Sequence, residues 1–307
     1  MNNSLLNYYL RLLNNEPLPD IFIKYLSAPS LNRLKNIGYF CGMDYASKDV
    51  YNFSEYISRY THSLNVAILT YNLTHNQKET LAGLFHDIAT PCFSHVIDYM
   101  NKDYETQEST EEYTKRVLIQ DKYLLNCLKE DKIDIEEVAN FKNYHIVDNE
   151  RPKLCADRLD GVVLNSIGWT KNIIQEEIKN ILSSIKIYLN EDNTEEIGFT
   201  NEIIAKRVVE LSKEIDLYCH SKEDNYMMNL LSEITKIAIN NGYIEYDDLF
   251  SLTEPEIFRI LENSKNKEIT NLLNIFYHIK KEEIPEINLP KIKARNLNPI
   301  VKEKRLN

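Results

Sequence analysis

The chain has 307 residues, enough for one large domain or two modest ones and for a sizeable core. Seven glycines and nine prolines supply few turn residues, which argues against a many-stranded sandwich or propeller. Lysine and arginine number 36 against 47 acidic residues, and a net charge of −11 suits a small phosphorylated ligand better than a nucleic-acid polymer. No apolar run reaches the roughly 18 residues of a membrane span. The first residues, through Leu13, are broken by Asn2, Asn3, Asn7 and Arg11 and do not read as a signal peptide. The five cysteines, Cys41, Cys92, Cys127, Cys155 and Cys219, are odd in number and form no CxxC, so neither a disulfide framework nor a zinc-thiolate site is expected. A cytoplasmic protein is the expectation.

Taken in chain order, residues 1–50 read as short helices interrupted at Pro17–Pro19 and packing on the core. Residues 51–170 carry most of the seven histidines. Here Leu64, Ala67, Ile68 and Tyr71 recur at i, i+3, i+4, i+7, and so do Leu81, Leu84, Phe85 and Ile88. Asn76, with Glu79 three residues on, reads as a helix start. These two helices form an antiparallel hairpin about a turn at Thr74–Asn76. Residues 171–307 read as amphipathic helices, with a stripe at Met227, Leu230, Leu231, Ile234 and Ala238 and a cap at Thr253/Glu256. The segment Pro285–Pro299 is extended and opens a basic tail. The expected fold class is therefore all-α, a helical bundle with an additional C-terminal helical region. That region is open between a homo-oligomer surface and the remainder of the domain.

The chemistry concentrates at the hairpin. His62 lies about 13 residues before the turn and His86-Asp87 about 11 after it, so they meet across the two arms. Small Ala82 and Gly83 permit the close approach. Asp157, five residues past Pro152, falls in the first turns of a new helix. Two imidazoles and two carboxylates suit one divalent ion, Mn, Fe, Ni, Mg or Zn, able to activate water and polarise a phosphoryl oxygen.

These residues resemble the H…HD…D signature of the HD-domain metal-dependent phosphohydrolases: Arg59-x-x-His62, His86-Asp87, Asp157. The run His86-Asp-Ile-Ala-Thr-Pro-Cys-Phe-Ser-His95-Val-Ile-Asp98 resembles the deoxynucleoside triphosphate triphosphohydrolase branch, as does Leu31-Asn-Arg-Leu-Lys-Asn-Ile-Gly38 before it. The likeness spans roughly residues 30–170. It implies an HD-domain helical bundle in which His62, His86, Asp87 and Asp157 hold the metal, Arg59 approaches the substrate phosphate, and His95 and Asp98 lie near it.

The sequence departs from that branch at two places. Ala89-Thr90 stands where the run has Gly-His, and Thr110-Glu111 where a His-Glu pair is expected. His95 is then the general-acid candidate, tuned by Asp98, against a plain i, i+3 surface pair. Glu111 is a candidate to orient the attacking water, and Ser109 with Glu112 a capping box. His145, Arg158 and Arg295 are substrate-binding candidates. Arg158 alternatively pairs with Asp160, and the tail holding Arg295 is alternatively a solvated surface. The leading expectation is a phosphohydrolase acting on a nucleotide-like substrate. The missing histidines keep open a non-catalytic metal- and nucleotide-binding module, and an HD-type di-iron oxygenase is a third reading.

Overall fold

The computed structural model describes residues 4–103, 113–289 and 291–306. Thr110, Glu111 and the Ser109/Glu112 pair lie outside the described residues. Helix α1 (Leu5–Leu13) starts at Ser4, whose hydroxyl accepts from the Asn7 amide at 3.1 Å. It packs on α3 (Arg59–Thr74), α9 (Ala156–Gly168) and α10 (Gln175–Ser184). The short α2 (Pro29–Arg33) and three 3₁₀ turns complete the N-terminal segment.

Helix α3 and helix α4 (Gln77–Phe85) form the expected hairpin. His75 closes α3 at φ 51°, in the left-handed region. Asn76 then caps α4, its side chain accepting from the amides of Lys78 and Glu79. A Cβ at Gly83 would stand 3.3 Å from Thr70 Oγ1 and 3.4 Å from Val66 Cγ1, so a small residue is what lets α4 lie against α3. The stripe on α4 is buried as read. Helix α3 differs: it is buried on nearly every side, with His62, Ser63, Asn65 and Thr70 inside along with its apolar residues. A central helix has no solvent face to keep polar.

Beyond the hairpin come α5 (Val96–Asn101), α6 (Tyr113–Gln120), α7 (Lys122–Glu130) and α8 (Glu136–Ala139). After α9 and α10 come α11 (Glu202–Cys219), α12 (Lys222–Asn240), α13 (Asp248–Ser251), α14 (Glu254–Asn263) and α15 (Lys267–His278). The α12 stripe is buried and packs on α5 and α15.

The all-α expectation needs one correction, a small four-stranded sheet. Strand β1 (Ile185–Leu189) pairs antiparallel with β2 (Glu195–Phe199), and β2 pairs parallel with β3 (Ile300–Val301), which turns back into β4 (Lys304–Arg305). Gly198 permits the β2–β3 pairing, because a Cβ there would come within 2.6 Å of the Ile300 carbonyl oxygen. The hairpin hides in the sequence for two reasons. Its turn carries no Asn-Gly and is built instead by Asn190, whose side-chain oxygen accepts from the Asp192 and Thr194 amides. Its strand pattern is also broken by Glu196, fully buried and tied to Arg305 at 2.6 Å.

The extended C-terminal segment is no loose tail. The Arg295 amide donates to Asp216 at 2.8 Å, Ser212 Oγ donates to the Arg295 carbonyl, and the Asn298 amide donates to the Pro152 carbonyl. It thus straps α11 to the loop before α9.

Glu254, at the start of α14, staples the two loops that flank the histidines. Its carboxyl accepts from the Gly38 amide at 3.0 Å and the Phe93 amide at 3.2 Å, with no exposure to solvent. Burial pushes this carboxyl up to about 8. The folded state therefore holds a proton that the unfolded chain releases near pH 4.5, and the resulting stabilisation is lost as pH rises through about 8. Glu254→Gln removes that dependence. Urea unfolding at pH 5.5 and 8.5 is expected to move the stability difference toward the variant at the higher pH, by on the order of 1 kcal/mol per pH unit across the interval. A difference that does not change with pH contradicts the assignment.

Candidate metal centre

Three helices deliver the predicted ligands to one point. Ser58 caps α3 by accepting from the Thr61 amide, which sets Arg59 in the first turn and His62 one turn on. Helix α4 ends at Phe85, so His86 sits at its C-cap and Asp87 in the turn beyond, past the helix end and not within its last turn. Helix α9 begins at Ala156 and carries Asp157 in its first turn, as expected from its distance past Pro152.

His62 Nε2 lies 3.0 Å from Asp157 Oδ1, 3.3 Å from His86 Nε2 and 3.9 Å from Asp87 Oδ2. His86 Nε2 is 3.8 Å from both Asp87 Oδ2 and Asp157 Oδ1. Donors bound at about 2.1 Å to one ion stand about 3.0 to 3.4 Å apart, so this spacing fits a ligand set that needs only slight closure.

The protons agree with that fit. His86 Nδ1 lies 2.7 Å from the Gly83 carbonyl oxygen, which can only accept, so Nδ1 carries the proton and Nε2 presents a lone pair. His62 Nδ1 lies 2.7 Å from Asp160 Oδ2 and is oriented in the same way. Two ring nitrogens facing each other beside two carboxylates call for positive charge between them, either a proton on one ring or an ion. Burial lowers His62, but hydrogen bonds to Asp157 and then Asp160 outweigh it and raise the ring to about 10. Burial raises Asp157 and Asp87, yet both are held well below the usual carboxylate range: Asp157 by His62, then His86 and Arg158, and Asp87 by Arg59, then His86 and His62. A proton on His62 or a divalent ion at the centre answers the same demand for positive charge.

Asp160 is the residue that sequence reading passed over as a partner of the ligands. It is fully buried and gathers three donors: His62 Nδ1, Tyr9 OH at 2.6 Å and Asn65 Nδ2 at 3.0 Å. A carboxylate that holds the far nitrogen of a ligand histidine fixes its tautomer and raises its basicity. The available signal was the Asp157-x-x-Asp160 spacing, which puts both carboxyls on one helix face.

The remaining candidates sort by position. Arg59 is buried and donates from Nη1 to Asp87 at 2.9 Å, with its guanidinium 4.8 Å from the Tyr39 ring centre. His95 Nδ1 lies 2.9 Å from Asp98 Oδ2, with Asp98 buried and the His95 side chain 40% exposed. Arg158 does not pair with Asp160. It pairs with Asp148 at 3.1 Å and donates to the carbonyls of Lys153 and Asn149. It thereby supplies positive charge to a second cluster of potential ligands, Asp148, Cys155 and Asp157. His145 and Arg295 line the same cavity as Arg59, His86, Asp87, His95 and Asp157. So does Thr90, whose carbonyl is held by Arg33.

That cavity has a volume of about 890 Å³, at the large end of the range for small-molecule sites. Among the described residues its wall carries seven lysine or arginine and seven acidic side chains, so it lacks the acidic excess of the chain as a whole.

Comparison with known proteins agrees with this geometry. The HD domain family matches residues 59–182, the stretch from Arg59 through the end of α9 and into α10. The chain is 26% identical over 251 residues to the uncharacterized protein YdhJ of Bacillus subtilis, covering 80% of this chain and 72% of that protein. It is 23% identical over 257 residues to the metal-dependent phosphohydrolase cns2 of Cordyceps militaris, covering 80% of this chain and 71% of that protein.

Proposed function

Since its HD domain puts the chain in the HD-domain phosphohydrolase superfamily, we propose that it is a metal-dependent phosphohydrolase that cleaves a small phosphorylated substrate, a nucleotide, with one divalent ion. The observation that carries this reading is the convergence of His62, His86, Asp87 and Asp157, the last three of them on the wall of a cavity large enough for such a substrate. A divalent ion held there lowers the pKa of bound water and polarises a phosphoryl oxygen.

The chain's own groups supply the rest. Arg59 locks the Asp87 carboxylate in place and adds a fixed positive charge beside the ligands. His95 is anchored through Nδ1 to buried Asp98, which leaves Nε2 as the edge able to give a proton to a leaving-group oxygen. Arg295, carried to the cavity by the C-terminal strap, adds a second, half-buried cation for the substrate on the wall near Asp224. Glu111 retains its role as the candidate that orients attacking water.

The test is phosphate release by the purified protein loaded with Mn²⁺, on nucleoside mono-, di- and triphosphates and simple phosphomonoesters. Turnover that requires the metal is expected. Tight nucleotide binding with no hydrolysis of any ester favours the second reading, a non-catalytic module, which rests on Thr90 lining the cavity where a histidine was expected. Gain of turnover in Thr90→His then separates a lost catalyst from a binder.

A further inference from the structure

The cavity runs well beyond the metal centre, and its wall there is built of flat rings. The Tyr39 ring lies 5.0 Å from that of His62 and 5.7 Å from that of Phe40. Phe40 and Phe53 stack at 4.1 Å with their planes 5° apart, and Tyr51 continues the layer 5.3 Å from Phe53 at 23°. Trp169, the chain's single tryptophan, stands edge-on to Phe40 and Phe53. All five of these aromatic residues line the cavity.

The row of rings ends on a carboxylate. Tyr51 OH donates to Asp224 Oδ1 at 2.7 Å, and Asp224 also lines the cavity. Among the described residues this is the only hydrogen bond to the Asp224 carboxyl, so Oδ2 keeps its acceptor capacity. Arg295 lies close enough to Asp224 for each to shift the other's titration. Burial is the largest influence on Asp224 and raises it to about 6, so it is charged at neutral pH. An acceptor-only group beside stacked rings, in a pocket whose other end collects a phosphate, matches a flat heterocycle with N–H donors on its edge.

We propose that Asp224, held by Tyr51 at the end of the Phe40–Phe53 layer, is the specificity-determining acceptor for the N–H-bearing edge of a nucleobase. The assignment deepens the phosphohydrolase reading and rests on it for the position of the phosphate. Tyr51 is a positioning residue, since it acts through Asp224.

The experiment separates the two readings because binding of a free nucleoside needs neither metal nor turnover. Trp169 emission and calorimetry are followed while the full-length protein is titrated with adenosine, guanosine, cytidine and uridine, with ribose as the control that lacks a base. At least one nucleoside is expected to bind and change the emission, and ribose is not. Asp224→Asn is expected to weaken that nucleoside about 10- to 100-fold. In the Mn²⁺-loaded enzyme the ratio of kcat/KM for the matching nucleotide over ribose 5-phosphate falls by a similar factor. If Asp224→Asn does not fold, Tyr51→Phe decides the question through a loss of the same ratio. No nucleoside binding, equal binding of ribose, or an Asp224→Asn variant with wild-type affinity and ratio overturns the proposal. Absence of hydrolysis with nucleoside binding intact and lost in Asp224→Asn sinks the phosphohydrolase reading and leaves the base subsite standing.

Discussion

Asp87→Ala is expected to bring metal-dependent turnover down to the buffer background and to reduce the metal content of the purified protein. Two effects combine. The substitution removes one of four converging donors, and it strips Arg59 of its partner. Arg59 is only 8% exposed, and a buried guanidinium left without its carboxylate costs about 3 kcal/mol. The variant should therefore also unfold at lower urea concentration. Asp87→Asn separates the two effects. An amide oxygen still accepts from Arg59, so stability is largely kept, but it is a poor ligand for a divalent ion and activity is still lost. Elemental analysis and phosphate release read the first effect, and urea unfolding reads the second. An Asp87→Asn enzyme within tenfold of wild type, with its metal retained, removes Asp87 from the ligand set.

Asp160→Asn is expected to weaken Mn²⁺ binding about 10- to 100-fold although Asp160 is not itself a predicted ligand. Three donors point at its two oxygens, from Tyr9, Asn65 and His62. An asparagine in the same place offers one oxygen and one NH₂ group, so one donor must face another donor. If the His62 ring meets the NH₂ group, its proton moves off Nδ1 and Nε2 is no longer free to bind. If Tyr9 or Asn65 meets it, a buried donor is left unsatisfied at about 1 to 3 kcal/mol. Competition against a fluorescent chelator measures the affinity, and near-ultraviolet circular dichroism verifies that the core is intact. Wild-type Mn²⁺ affinity in a folded Asp160→Asn protein rules out the role assigned to this carboxylate.

The convergence of the four candidate ligands was legible in the sequence because each is tied to local geometry. The turn at His75–Asn76 fixes the register of α3 against α4, and Gly83 marks their close approach, so His62 and His86 could be paired by counting from the turn. Asp157 followed from the start of α9. What stayed hidden depends on residues far apart in the chain. The partnership of Asp160 with Tyr9 spans 151 positions, and Arg158 reaches Asp148 and not its near neighbour Asp160 because the loop before α9 folds back over the helix start. The β1–β2 hairpin was missed because its buried Glu196 is neutralised by Arg305, 109 residues away, and so breaks the polar pattern of a surface strand.

The Tyr9 hydroxyl on Asp160 makes the N-terminal helix a thermodynamic party to the centre. Asp160 is shared: one oxygen holds His62, the other is held by α1 and by Asn65. A cation held at His62 Nε2 would polarise the ring and tighten its grip on Asp160, and a well-seated α1 presents Asp160 to that ring in the correct pose. By reciprocity, the free energy with which α1 docking favours the cation equals that with which the cation favours docking. The matched stretch 59–182 leaves out one of the three donors to the carboxylate that orients its own histidine. With the proposed ligand set, the cooperative unit for ion capture would begin before that stretch, at a helix that contributes no ligand.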